Sequence, residues 1–205
     1  RGQTLDSLKK DIEIFCNYSI DHLSLYQLTI EPNTIFYKKK LLLPRDKLIA
    51  DMEKAATNIL NANQFYQYEV SSWSKKNKYS NHNLNYWMYG DYLGVGPGAH
   101  SKITMNESIK RMIKLKAVQS YIDAPSKTKD FFINSESYDL DLAMNLLRIK
   151  QGISFKEIEE KGIYIPDTFM EKRLEGIEKG LLDKEGIKAS SIGYKFLNDT
   201  INLFS

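Results

Sequence analysis

Two stretches of apolar residues at helical spacing, each followed by a short β-rich run, constrain this chain more than any other feature. Leu5, Leu8, Ile12 and Phe15 mark one face of a helix over residues 5–17. Leu48, Ile49, Met52, Ala55, Ala56, Ile59 and Leu60 mark another over residues 46–63. Between them, residues 21–30 alternate in part through Leu23, Leu25 and Leu28, which predicts a buried strand ending near Thr29. Pro32 and Asn33 then open a loop. Residues 64–72 predict a second strand and residues 91–96 a third, stopped by Pro97. Helix, strand, helix, strand is the rhythm of βα units in a parallel sheet.

The rest of the chain follows another pattern. Residues 102–130 fit neither period and are basic, with Lys102, Lys110, Arg111, Lys114 and Lys116 against Glu107. From Asp139 onward helices are predicted at 139–150, 154–161 and 167–180. A Lys-Glu-Gly turn after Leu181 and Leu182 predicts a small hairpin, and an apolar helix closes the sequence. That order resembles a winged helix, so a domain boundary is placed near residue 130, between segments 1–130 and 131–205.

Composition narrows the function. A formal charge of +3 on 205 residues is too mild to demand a nucleic-acid partner. The presumed recognition helix, 167–180, sets Asp167, Glu171, Glu175 and Glu178 against Lys172, Arg173 and Lys179, a poor phosphate surface. No apolar run approaches the roughly 18 residues of a membrane span, and no signal-peptide pattern is seen. The single cysteine, Cys16, fits a reducing compartment, the cytoplasm, and reads as a small buried hydrophobe of the first helix. The chain opens at Arg1-Gly2-Gln3-Thr4 without methionine, Gly2 suited to a turn and Thr4 to a helix cap. It is expected to be a piece of a longer protein.

Three motifs can carry chemistry. Asn81-His82-Asn83-Leu84-Asn85-Tyr86-Trp87 packs an imidazole, three amides and two large aromatics into seven residues. On a helix His82 and Tyr86 share one face, and Asn83 and Trp87 the next. Heme requires such equipment, an axial imidazole for the iron and rings for the porphyrin face. The plainer reading is a hydrogen-bonded structural histidine among core aromatics. In Gly90-Asp91-Tyr92-Leu93-Gly94-Val95-Gly96-Pro97-Gly98-Ala99-His100-Ser101, the glycines at 94, 96 and 98 allow a ligand close to the backbone, or simply a tight turn. Tyr26-Gln27-Leu28-Thr29-Ile30-Glu31-Pro32 stands at a predicted strand end, where Gln27 and Glu31 reach a polar ligand or only solvent. Lys75, Lys76 and Lys78 precede the first motif and either meet heme propionates or form a solvated loop.

At these motifs the sequence resembles a known family. HLSLYQLTIEPNTIFY, YEVSSW, HNLNYWMYGDYLGVGPGAHS and LLRIKQGIS look like the heme-chaperone family HemW, close kin of oxygen-independent coproporphyrinogen III oxidase. The HNxxYW pattern is specific to the chaperone branch. The resemblance covers nearly the whole chain. It implies an α/β fold, an incomplete radical S-adenosylmethionine (β/α) barrel followed by a small, mostly helical, winged-helix-like domain. It also implies heme binding through His82, Asn83, Tyr86 and Trp87, with His82 on the iron. Gln27 and His100 match positions that touch S-adenosylmethionine in the related oxidase. Residues 111–121 look like the family's R-x-x-N-x-K…Y segment; Arg111, Lys116 and Tyr121 match, but Lys114 replaces the asparagine.

The largest departure is the family's CxxxCxxC, which holds a 4Fe–4S cluster in its N-terminal half and has no counterpart here. Cys16 alone cannot supply three thiolates, so the chain by itself is expected to be inert as a radical enzyme. An incomplete barrel exposes a sheet edge, so the chain is expected to dimerise, aggregate or need its missing half. The reading that follows is heme binding and delivery to respiratory heme-accepting proteins, in the cytoplasm or at the cytoplasmic side of the membrane. The alternatives are a fragment of a coproporphyrinogen III oxidase acting in porphyrin biosynthesis, and a stranded piece with no activity.

Overall fold

The computed structural model describes residues 2–39, 41–105 and 108–205; Arg1 and Glu107, invoked above, lie outside them. The chain gathers into two compact units, residues 1–80 and 81–205.

In the first unit, helix α1 (Leu5–Cys16) starts at a reciprocal cap. The Ser7 N–H donates to Thr4 Oγ1, and Ser7 Oγ accepts from the Thr4 N–H. Strand β1 (His22–Ser24) follows, then the single turn α2 (Ile35–Lys38) and the long helix α3 (Asp46–Ala62). Leu8 and Ile12 of α1 and Ala56 and Leu60 of α3 close on Phe65 and Trp73 in one apolar core. Cys16 packs against that core but is only partly buried.

The helices stand where their apolar spacing predicts them, but the strands do not. The stretch read as one strand, 64–72, is a hairpin of β2 (Tyr66–Glu69) and β3 (Ser72–Ser74). Two residues, Val70 and Ser71, reverse the chain, and the buried Glu69 carboxylate accepts from the Ser71 N–H at 3.1 Å. A two-residue link makes antiparallel neighbours, whereas a parallel pair needs a crossover of a dozen or so residues. The sheet runs β1-β3-β2, all antiparallel, in place of the parallel pairing expected. The strand expected over 21–30 keeps only three residues: after Ser24 one more bond forms, Leu25 N–H to Ser71 O at 2.8 Å, where the β2–β3 hairpin turns.

The second unit opens on α4 (Asn81–Trp87). The expected strand over 91–96 reduces to a single bridge, Tyr92 to Lys102. The basic segment that fits neither period is a meander of β4 (His100–Met105), β5 (Ser108–Lys114) and β6 (Thr128–Phe132), with α5 (Val118–Asp123) before the last strand. Helices α6 (Ser135–Leu146), α7 (Phe155–Glu160), α8 (Asp167–Glu178), α9 (Ser191–Lys195) and α10 (Leu197–Asn202) complete it. Leu142, Leu146, Leu147, Phe169, Ile187 and Phe204 lie at the centre of their core. Single bridges Leu182–Ala189 and Ile153–Ile187 stand where the small hairpin is predicted.

Candidate functional site

His82 sits in the first turn of α4 with its side chain exposed. One turn on, the Tyr86 ring meets the imidazole edge-on, with centroids 4.9 Å apart and planes inclined at 64°. Behind Tyr86 lies Tyr92 at 4.1 Å. Tyr92 is held by its own backbone, which exchanges two hydrogen bonds of 3.0 Å with Lys102.

Trp87 stands about 100° further round the helix than Tyr86. There the Arg148 guanidinium lies over its indole at 4.9 Å, and the indole Nε1 is enclosed without an acceptor among the described residues. Asn83, partly buried, is on that same flank of α4. The motif is thus divided. His82 and Tyr86 form one face, and the second ring behind them is Tyr92, not Trp87.

A charged network holds this arrangement from below. Arg111 of β5 donates from Nη1 to the Tyr92 hydroxyl at 3.1 Å, and from Nη2 to both Asp141 carboxylate oxygens at 2.8 Å. The Tyr89 hydroxyl donates to the same carboxylate. Burial opposes the Arg111 charge, but the hydrogen bond and attraction to Asp141 outweigh it and raise its pKa. Burial first, and then the bond to Asp141, drive the Tyr89 phenol far above its ordinary range. Lys102, counted among the bases of the 102–130 segment, is 2% exposed. Its ammonium donates to Tyr89 O at 2.7 Å, Asp91 Oδ1 at 3.2 Å and Thr104 Oγ1 at 3.3 Å, and lies over the Tyr89 ring. Burial works against the Asp91 carboxylate, yet Thr104 and Lys102 together hold its pKa below the usual range.

The glycine loop serves the chain's own backbone. A Cβ at Gly94 would run into the carbonyl oxygen of His100, and Gly96 adopts φ 112°. The Gly96 N–H donates to the Tyr121 hydroxyl at 3.1 Å, so Tyr121 of the matched 111–121 segment anchors the loop. Lys114, at the departing position, donates to Pro125 O at 2.8 Å. His100 begins β4 with its side chain exposed. Gln27, in the other unit, is exposed in the extended segment beyond β1.

The remaining candidates are occupied locally. His22 Nε2 shares a hydrogen bond of 2.8 Å with the Tyr68 hydroxyl, and burial lowers its pKa. Lys75 and Lys78 pair with Asp21 at 3.3 and 3.9 Å. Among the described residues no three His, Cys, Asp or Glu side chains gather in a way that could hold a metal ion. Sequence reasoning missed Tyr92, Asp141, Tyr89 and Lys102 as members of this neighbourhood. The bonds that tie them to Asp91, Arg111 and Asp141 span 11 to 52 residues of sequence, beyond any local periodicity.

No protein-family model matches the chain. Curated relatives do. A protein named heme chaperone HemW from Buchnera aphidicola (subsp. Acyrthosiphon pisum) is 34% identical over 207 residues, which is 99% of this chain and 55% of that protein. The Escherichia coli protein of that name is 30% identical over 98% of this chain and 54% of its own length. The Bacillus subtilis one is 31% identical over 88% and 49%. This chain therefore spans about half the length of the curated relatives it matches. Among solved structures, coproporphyrinogen III oxidase (HemN) from Escherichia coli, described as a radical SAM enzyme, superposes with a TM-score of 0.69 at 14% identity. The match covers 98% of this chain and 52% of that one, so this chain has the fold of about half of that enzyme.

Proposed function

Over nearly all of its length the chain is homologous to the HemW proteins, and on that premise we propose that it carries the heme-binding part of a heme chaperone. The observation that supports this most is His82, an exposed imidazole with the Tyr86 ring against it and Tyr92 behind. Heme is the cargo. His82 supplies the axial nitrogen, and the aromatic face supplies the stacking that a porphyrin favours. An exposed ligand suits transfer, because an accepting protein must reach the iron before the donor lets go. The acceptors are respiratory heme proteins, met in the cytoplasm or at the cytoplasmic face of the membrane. No helix among the described residues is long and apolar enough to cross a membrane.

In this proposal residues 1–130 are barrel and 131–205 the helical, winged-helix-like domain. Gln27 and His100 serve the S-adenosylmethionine side of the complete protein. A 4Fe–4S cluster does not fit the residues present. Cys16 is the single thiol of the sequence, one where a cluster of this kind takes three. Nucleic acid is not a partner in this reading, because the bases of α8 and its C-cap are each engaged within their own unit. Lys172 pairs with Asp139 at 3.4 Å, Lys179 pairs with Glu175, and Arg173 donates to the carbonyls of Gly186 and Lys184. A dimer remains part of the proposal.

The test is hemin titration of the full-length protein. A shifted Soret band is expected in the wild type and in His22→Ala, and most of the shift is expected to vanish in His82→Ala. An unchanged spectrum and affinity in His82→Ala would reject the ligand assignment. Coproporphyrinogen III decarboxylation by the same preparation would instead favour the oxidase reading.

A further inference from the structure

We infer that Tyr92 is a positioning residue of this site, the ring that backs the Tyr86 face against the ligand, and that Arg111 and Asp141 lock it there. The inference rests on the heme-binding reading and adds three residues to it.

Helix α4 has seven residues, too few to hold a conformation without tertiary support. The orientation of His82 and Tyr86 must therefore come from what packs on them. Tyr86 rests on Tyr92 at 4.1 Å, with the planes inclined by 37°. Two features stop Tyr92 from turning away. Its main chain is bonded both ways to Lys102, and its hydroxyl accepts from Arg111 at 3.1 Å. Arg111 in turn reaches both oxygens of Asp141, a residue of α6. Its side chain and that of Asp141 are each about one-fifth exposed, 19% and 20%, so the pair is only partly screened by water.

The chemistry of the cargo fits this frame. An imidazole bound to iron stands perpendicular to the porphyrin plane. Tyr86 stands at 64° to the His82 ring, and Tyr92, stacked against the Tyr86 ring at 4.1 Å, backs it and keeps that face in place. A flat macrocycle gains most from rings that cannot swing, since no rotamer freedom is then lost on binding.

The test is a double-mutant cycle on hemin affinity and spectrum in the full-length protein, using Tyr86→Leu and Tyr92→Leu, with Tyr92→Phe, Arg111→Lys and His82→Ala beside it. Tyr92→Leu is expected to weaken hemin binding by about fivefold, the scale of one aromatic pair. It should also move the Soret band and the high-spin to low-spin ratio, which a loss of fold stability alone would not do in the bound protein. The double variant should be weaker than Tyr86→Leu alone by less than that factor, because the rings act together. Tyr92→Phe keeps the ring but frees it from Arg111, and should fall between wild type and Tyr92→Leu. Additive losses, or wild-type affinity and spectrum in Tyr92→Leu, would overturn the inference while a lost signal in His82→Ala still upholds heme binding. If His82→Ala binds as wild type, the ligand assignment fails; if the wild-type protein binds no hemin, the heme reading itself fails. Should Tyr92→Leu not fold, Tyr92→Phe and Arg111→Lys carry the test, and wild-type affinity and spectrum in both would overturn it.

Discussion

Tyr89 shows how much of this site is set by single side chains. It is buried, its hydroxyl donates to Asp141, and the Lys102 ammonium lies 4.1 Å from its ring centre. Burial and the carboxylate both favour the protonated phenol, so its folded pKa is raised. In the unfolded chain the same phenol ionises at its ordinary value of about 10. The stability it contributes is therefore complete below that pH and is lost as pH rises above it, where only the unfolded state releases the proton. Urea midpoints measured from pH 8 to pH 11 should fall less steeply in Tyr89→Phe than in the wild type. Parallel curves would contradict this account of Tyr89. Nothing in the sequence around Tyr89 announces its role, because Asp141 and Lys102 come from other elements. His82 and Tyr86 were legible because a four-residue spacing is enough to put two side chains on one helix face.

At the scale of elements, α1, α3 and α8 were legible, α6 was read four residues late at 139–150, and the strands were not legible. α1, α3 and α8 follow from apolar spacing, with Thr4 capping the first, and each lies within a residue or two of its predicted span. The run 64–72 carried no Gly or Pro to mark its reversal. The turn is made instead by a buried Glu69 bonded to Ser71, a contact that only the folded chain reveals. Glycine does mark another junction. Gly193, the third residue of α9, donates its N–H to the capping Ser190 Oγ at 3.0 Å, and a Cβ there would collide with the carbonyl oxygen of Leu181. Backbone cannot yield as a side-chain end does. Gly193→Ala is expected to destabilise the second unit by about 2 kcal/mol, in the range of overpacked sites, although alanine is the better helix former. Equal or higher stability by thermal denaturation would show that α9 shifts freely.

For the molecule as a whole, the α/β class and the kinship were readable from a handful of motifs, while the pairing of every strand was not. Short β-rich runs between helices suggested parallel βα units, yet both sheets are antiparallel among the described strands. Hydrophobic spacing reports which face is buried and is silent about which strand lies alongside. The same limit applied to the site. The resemblance grouped four side chains as one heme site, whereas helical spacing divided them; Trp87 lies under Arg148, and His82 stands with Tyr86 and Tyr92, the last not read from sequence. The central claim is that His82 ligates heme iron. Resonance Raman spectroscopy of the ferrous, heme-loaded full-length protein tests it most directly. The account predicts an iron–histidine stretch that shifts when histidine is labelled with 15N, persists in His22→Ala and disappears in His82→Ala. A stretch that survives intact in His82→Ala would contradict it.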